Sequence, residues 1–434
     1  YDYDFDANGD VLGDYRTDYK TKTGGEVFGL KYTGYVSDDM TLDVIVGRTV
    51  EQDYNTALDS LPGVWDYRGE SSVTVSDHSA STIEDGKYTR DQFRADLTWD
   101  LEDHSLKFGI DHYKIDVDYT YVQNGEGDAQ GWWVIDTSTG ADDYSNQVAG
   151  EDYIYKRIRG RFVNSEVEST ALYIQDSWQA TDNLVLNLGL RYSNQSNTVS
   201  DGRKYVDLTG QIAPRLSAIY DVSGDGSSKA FATFGRYFQP VSANMNITQG
   251  SAQRETFNYY EMGEVDANGV PVLLADGSPS RGAELREQRV RQQGITEPGL
   301  IASSNLEGMY NDEFTIGYQQ EIMNGDMSAG VRFIYRELGA SLEDTDMGPV
   351  LAKKLAEMGI DDNVGQGSYY LLYNPGNDVT MSYDFDGDGT VDVVNMTADE
   401  LQIPKPERTY KALEFTLQGE LAKDLYINAS YLWS

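Results

Sequence analysis

Carboxylates at alternate positions around glycines form the sharpest chemical motif of the chain, Asp384-Phe385-Asp386-Gly387-Asp388-Gly389-Thr390-Val391-Asp392. With Asp384 first, Asp386 and Asp388 fall third and fifth, Gly389 sixth, Thr390 seventh and Asp392 ninth, in the manner of a calcium loop. Hard oxygen ligands so spaced converge because glycine permits the sharp turn between them. The twelfth position is Asn395, where an EF-hand places a bidentate glutamate, and no helix pair flanks the segment. Two readings stand: a structural calcium site built by Asp384, Asp386, Asp388, Thr390 and Asp392, or a solvated acidic turn. In either case the segment braces a loop, since no base or substrate-polarising group adjoins it to argue hydrolysis. Asp4-Phe5-Asp6-Ala7-Asn8-Gly9-Asp10 is a shorter echo that reads as a solvated turn.

Nothing else in the chain assembles a catalytic constellation, and the expectation is a protein that is not an enzyme. The three histidines, His78, His104 and His112, show no zinc-ligand spacing. There is no Gly-x-Ser-x-Gly elbow and no phosphate-binding glycine loop, and the carboxylates are too numerous to single out an acid and a base. Zero cysteines exclude disulfides and thiol chemistry. A formal net charge of -38 disfavours nucleic acid and favours cations or basic ligands. No apolar run reaches the roughly 18 residues of a transmembrane helix.

The elements that carry these loops are strands. Leu184, Leu186, Leu188, Leu190 and Tyr192 share one face, and Asn187, Gly189, Arg191 and Ser193 the other. That register, held for about nine residues, suits a tilted membrane strand with its apolar face outward. The pattern predicts six hairpins, at 25–36 and 40–50, 91–101 and 104–116, 168–179 and 183–193, 208–220 and 228–238, 311–321 and 326–337, and 408–419 and 424–433. Inside each hairpin the link is a few polar residues. Between hairpins the links run to roughly 40, 50, 15, 70 and 70 residues, longer than ordinary globular folds tolerate so often. Tight turns alternating with long excursions are the layout of an outer-membrane barrel.

The other hairpins keep the same alternation. Phe93, Ala95, Leu97 and Trp99 oppose Arg94, Asp96, Thr98 and Asp100; Phe314, Ile316 and Tyr318 oppose Glu313, Thr315, Gly317 and Gln319. Charges on the inward face call for a wet or plugged lumen, because a dry sandwich core would bury them unpaired at several kcal/mol each. Trp99, Tyr113, Trp178, Tyr192, Tyr220, Tyr335 and Trp433 stand near strand ends, where interface girdles form. In the excursions, 349–358 reads as a short helix closed by Gly359, Trp132-Trp133 as the buried core of a folded loop or else as exposed ligand anchors, the core being favoured, and 284–291 as a mixed-charge helical turn.

Tyr173-Ile174-Gln175-Asp176-Ser177-Trp178, with the Leu-rich strand ending Gly189-Leu190-Arg191-Tyr192, resembles the barrel of TonB-dependent outer-membrane receptors. Ala213-Pro214-Arg215-Leu216-Ser217-Ala218-Ile219-Tyr220, Tyr310-Asn311-Asp312-Glu313-Phe314 and Leu371-Leu372-Tyr373-Asn374-Pro375-Gly376 are similar to segments of the large Oar-like branch. The resemblance is dispersed over 165–434. It implies an all-β fold, an antiparallel transmembrane β-barrel in which residues 1–434 form part of a twenty-two-stranded wall with long extracellular loops and the plug domain lies elsewhere. It further implies a bacterial outer-membrane location, contact with outer-membrane lipids, capture of an unknown extracellular ligand (peptide, protein or glycan), and uptake driven by the TonB system through the plug. The alternatives are a passive porin and a secreted or surface calcium-binding β-rich adhesion module.

Overall fold

The computed structural model describes residues 19–57, 59–76, 82–140, 147–362 and 369–434. The Asp4–Asp10 turn and His78 lie outside the described residues. Twelve long strands make the wall: β1 (Tyr19–Ser37), β2 (Met40–Ala57), β3 (Thr82–Leu101), β4 (His104–Gln123), β5 (Asp152–Thr181) and β6 (Leu184–Thr198). They continue as β7 (Lys204–Asp221), β8 (Ser228–Phe238), β9 (Tyr310–Ile322), β10 (Met327–Ala340), β11 (Thr409–Ala422) and β12 (Leu425–Trp433). Each pairs antiparallel with the next, so the wall is one continuous meander.

All six expected hairpins are present, and most strands run further toward the loop end than the apolar pattern indicates. β5 is the extreme case at 30 residues. Above the apolar band its outward positions turn polar, at Glu168, Glu166 and Asn164, yet the backbone ladder continues to pair with β4 as far as Gly160. Among the described residues β1 pairs only with β2 and β12 only with β11, so the sheet does not close on itself. Unpaired backbone groups cannot face hydrocarbon, so both edges need partners beyond the pairings described, as a partial segment of a barrel would.

The two faces follow the predicted register. Outward-pointing Leu172, Leu190, Ile316 and Phe415 remain 55, 48, 50 and 45% exposed, an apolar surface that lipid would cover. Trp99, Trp178 and Tyr220 stand on this face near the hairpin turns, and Tyr192 and Tyr335 toward the loops. Tyr113 departs from the expected girdle. It pairs with Gln92 and Ser169 in the inward register and receives the Arg90 guanidinium 4.5 Å above its ring, because odd positions of β4 face the lumen.

The densest apolar packing lies in the loops. In the excursion between β10 and β11, helix α2 (Gly348–Met358) buries Leu351 and Leu355 completely against Tyr373, Met381, Phe385 and Met396. Gly359 ends the helix at φ 72°, a left-handed position that glycine occupies without steric cost. The short strand Trp132–Thr137 buries Trp133 with Val64, Ile135 and Ile154, as expected for Trp133, and the Trp133 indole Nε1 donates to Ala129 O at 2.9 Å. The 284–291 segment is not a helical turn. Strands Arg281–Glu284 and Arg289–Ile295 flank it and pair with Ala252–Met262, so the tertiary ladder overrides its local helix propensity.

Candidate functional site

Alternation along the strands brings the inward polar residues into a connected row. Asp96, Gly109, Tyr173, Arg191 and Ala213 are successive cross-strand partners from β3 to β7. Arg94 Nε donates to Asp96 Oδ2 at 2.9 Å, the Tyr173 hydroxyl donates to Asp96, and Arg191 Nη2 donates to Asp111 Oδ2 at 3.1 Å. The guanidinium carbons of Arg94 and Arg191 each lie 5.6 Å from the centre of the Tyr173 ring. Arg215 stacks on Tyr237 at 5.0 Å, and these groups border a recess of about 440 Å³ on the lumenal side. The pairing continues on β9 to β11, where Arg336 Nε donates to Glu313 at 2.9 Å and Arg332 bonds Glu414. Such a wall is satisfied in contact with water or with another polar body.

Above this row the excursion between β8 and β9 folds inward. Its helix α1 (Ala243–Thr248) starts at Ser242, whose hydroxyl accepts from Asn244 N at 3.1 Å. Ile247 packs on Val117 and Val163, which occupy inward positions of β4 and β5. Asn246 is fully buried: its Nδ2 donates to Ser165 Oγ at 3.0 Å, and its Oδ1 accepts from Asn197 Nδ2 at 2.9 Å and from the Tyr205 hydroxyl at 2.7 Å. The loop is thereby fixed across the inner wall at the mouth. Sequence reading missed this contact because Val241, Ala243, Met245 and Ile247 alternate with polar residues and show no helical apolar face.

The loops over the mouth are tied by charge as well. Arg68 Nη1 reaches Asp152 Oδ2 at 2.7 Å and Gly269 O at 3.0 Å, while its Nη2 holds Asp66 Oδ2 at 2.6 Å. The Arg68 hydrogen bonds hold the Asp66 carboxyl below the usual carboxylate range. His104 Nδ1 lies 2.8 Å from Asp176 Oδ2 and the ring stacks on Trp178, while His112 Nδ1 lies 2.9 Å from Thr170 Oγ1; both histidines are on the outward face.

Of the five candidate metal ligands, Asp384, Asp386 and Asp388 come together, with one carboxylate oxygen from each within 4.8 Å of the others. Gly389 N donates to Asp384 Oδ2 at 2.9 Å and Thr390 N to Asp388 Oδ1 at 2.7 Å. Asp392 is engaged elsewhere, since its Oδ2 accepts from Phe385 N at 3.0 Å. Similar turn bonding occurs at Asp221, which accepts from Gly224 N and Gly226 N at 2.9 and 2.8 Å without a set of three carboxylates. The turn chemistry alone thus suffices to shape the loop.

Residues 4–211 match a family described as an outer membrane beta barrel domain. Over 280 residues the chain is 26% identical to the TonB-dependent transporter Oar of Myxococcus xanthus, a match covering 60% of this chain and 22% of that protein. The outer membrane transporter YddB from Escherichia coli has a TM-score of 0.50 at 14% identity, covering 95% of this chain and 42% of that one. The siderophore receptor PiuA from Acinetobacter baumannii has a TM-score of 0.46 at 13% identity, covering 96% of this chain and 47% of that one. The chain spans about a fifth of the length of the curated relative and under half of each of these solved structures.

Proposed function

We propose that this chain, a bacterial outer-membrane β-barrel similar to TonB-dependent transporters, is the ligand-capturing and conducting part of such a transporter. In this reading residues 1–434 form one portion of barrel wall. A plug domain outside them fills the lumen and couples to the TonB system, and the loops take an extracellular ligand of the peptide, protein or glycan class. The observation that carries the reading is the inward row from Asp96 to Arg215, with α1 packed across the inner wall above it. A charged wall of this kind serves a polar plug and a polar cargo, whereas the outward face serves lipid.

The exposed apolar outward faces argue against a secreted adhesion module, which would leave them in water. A passive porin would share the wall and differ in conductance. The natural polypeptide, purified in detergent and inserted in planar bilayers, is expected to be closed at rest and to bind the periplasmic domain of TonB. A steady open conductance with no TonB binding would favour the porin.

For the Asp384–Asp392 loop we propose a structural calcium ion held by Asp384, Asp386 and Asp388, with Thr390 and Asp392 completing the set after Asp392 leaves Phe385 N. The convergence of three carboxylates supports it, since like charges so close gain from a cation. Calcium titration followed by limited proteolysis tests this. Protection of the 338–407 loop that is lost in Asp386→Asn/Asp388→Asn is expected, and cleavage indifferent to calcium would refute it.

A further inference from the structure

The upper end of β5 carries charge opposite in sign to the chain as a whole. Arg157, Arg159 and Arg161 alternate there and project from the inward face, beside the mouth. On the neighbouring strand Ala252–Met262, Phe257 faces Arg157, Glu255 faces Arg159 and Gln253 faces Arg161. Glu255 is buried and already engaged: Arg157 Nε donates to its Oε1 at 2.7 Å, and Arg291 Nη1 lies 3.6 Å from its Oε2. Among the described residues neither Arg159 nor Arg161 forms a salt bridge, although Glu255 attracts Arg159 through space, and the Nε of each is buried without a hydrogen-bond acceptor. Two further donors in the same inward register, Gln123 Nε2 and Trp132 Nε1, are buried and unmatched as well.

Four unmatched donors on one face, two of them on guanidinium groups, require acceptors that the chain does not supply. Water could serve the two neutral donors. Two guanidinium groups side by side, with Arg157 already committed to Glu255, call for negative charge. A guanidinium fork fits a carboxylate or phosphate through two parallel bonds. Phe257 and Tyr155, with ring centres 6.2 Å apart, form an apolar border beside the arginines. Arg159 and Arg161 are half-buried, so part of each side chain is open to the mouth, whereas the four unmatched atoms themselves are covered and Gln123 is buried.

We propose that Arg159 and Arg161, assisted by Gln123 and Trp132, form an oxyanion-binding surface that takes carboxylate or phosphate groups of the extracellular ligand. The proposal rests on the uptake reading only for treating the mouth as the ligand-facing side. Isothermal titration of the natural full-length protein in detergent, with triglutamate and separately with pyrophosphate, tests it. Saturable binding of at least one probe is expected, weaker by roughly tenfold or more in Arg159→Gln/Arg161→Gln and weaker at high salt. Binding of triglutamate alone would assign the surface to carboxylates, and of pyrophosphate alone to phosphoryl groups. Arg159→Lys/Arg161→Lys keeps the charge without the fork and is expected to bind with intermediate strength; if the glutamine pair does not fold, the lysine pair carries the test. Failure of the wild type to bind either probe, or variants that bind as well as wild type, would overturn the proposal. No TonB is needed in this measurement, so its failure is distinguishable from failure of the uptake reading.

Discussion

Gly109 on β4 lies beneath the ring of its cross-strand partner Tyr173 on β5, where a Cβ would come within 2.2 Å of Tyr173 Cζ. The absent side chain lets the ring lie against the wall and deliver its hydroxyl to Asp96, between the guanidinium groups of Arg94 and Arg191. Gly109→Val must displace the ring, and a loss of about 1–3 kcal/mol is expected, as for other overpacked sites. Tyr173→Phe removes only the hydroxyl and is expected to cost about 1 kcal/mol. Urea unfolding of the barrel in lipid vesicles measures both, and the valine variant should be the weaker of the two.

The loop between β10 and β11 is held by packing more than by charge. Leu351→Ala opens a cavity at a site with no exposure, and about 2–5 kcal/mol of local stability should be lost. The wall does not share this core. Limited proteolysis is therefore expected to cut the 338–407 loop faster while β10 and β11 stay protected.

Acid should loosen the same loop. Lys354 of α2 donates to Glu400 at 2.5 Å, and Glu400 also accepts from Thr397 N at 2.9 Å, which begins α3 (Ala398–Leu401). The Lys354 hydrogen bond is the largest of the effects that bring the Glu400 carboxyl down from 4.5 to about 2. A depressed carboxylate stabilises the fold above its unfolded value, and the contribution fades as pH falls from about 4.5 through about 2. Protection factors at α3 amides, taken relative to the intrinsic exchange rate at each pH, are expected to fall across that window in wild type, with a smaller change in Glu400→Gln.

The six hairpins were legible because a strand with lipid on one side and a polar lumen on the other has to alternate, as Leu184–Tyr192 does. The alternation also assigned most inward and outward residues, with Tyr113 misplaced because nearness to a strand end does not report parity. What escaped was the region where lipid no longer imposes a pattern. The upper part of β5 from Asp152 onward reads as loop, since its ladder is completed by strands distant in sequence, Trp132–Thr137 and Ala252–Met262. The arginine face forms only through those pairings. The acidic motif at 384–392 was visible as a turn, and the convergence of its first three carboxylates follows from the glycine spacing, but the engagement of Asp392 by Phe385 N depends on where the loop core places that backbone.

Register predicts a sharp asymmetry between neighbouring positions. Leu188→Arg puts a charge on the lipid face, where about 2–4 kcal/mol should be lost at the bilayer midplane. Asn187→Arg faces the lumen and is expected to be nearly neutral. Folding yields into vesicles, compared for the two variants, read the difference directly.

The central claim is that one face of this wall meets lipid and the other meets a lumen, and the cysteine-free chain allows it to be measured residue by residue. Single cysteines at Ile174, Gln175, Leu216 and Ser217, spin-labelled in the natural protein in bilayers, can be tested for collision with oxygen and with a water-soluble nickel chelate. The account predicts oxygen access at Ile174 and Leu216 and nickel or protein contact at Gln175 and Ser217, alternating with a period of two. Equal access of the nickel chelate to Ile174 and Leu216 would contradict it, because those side chains would then stand in water and the wall would not be a membrane barrel.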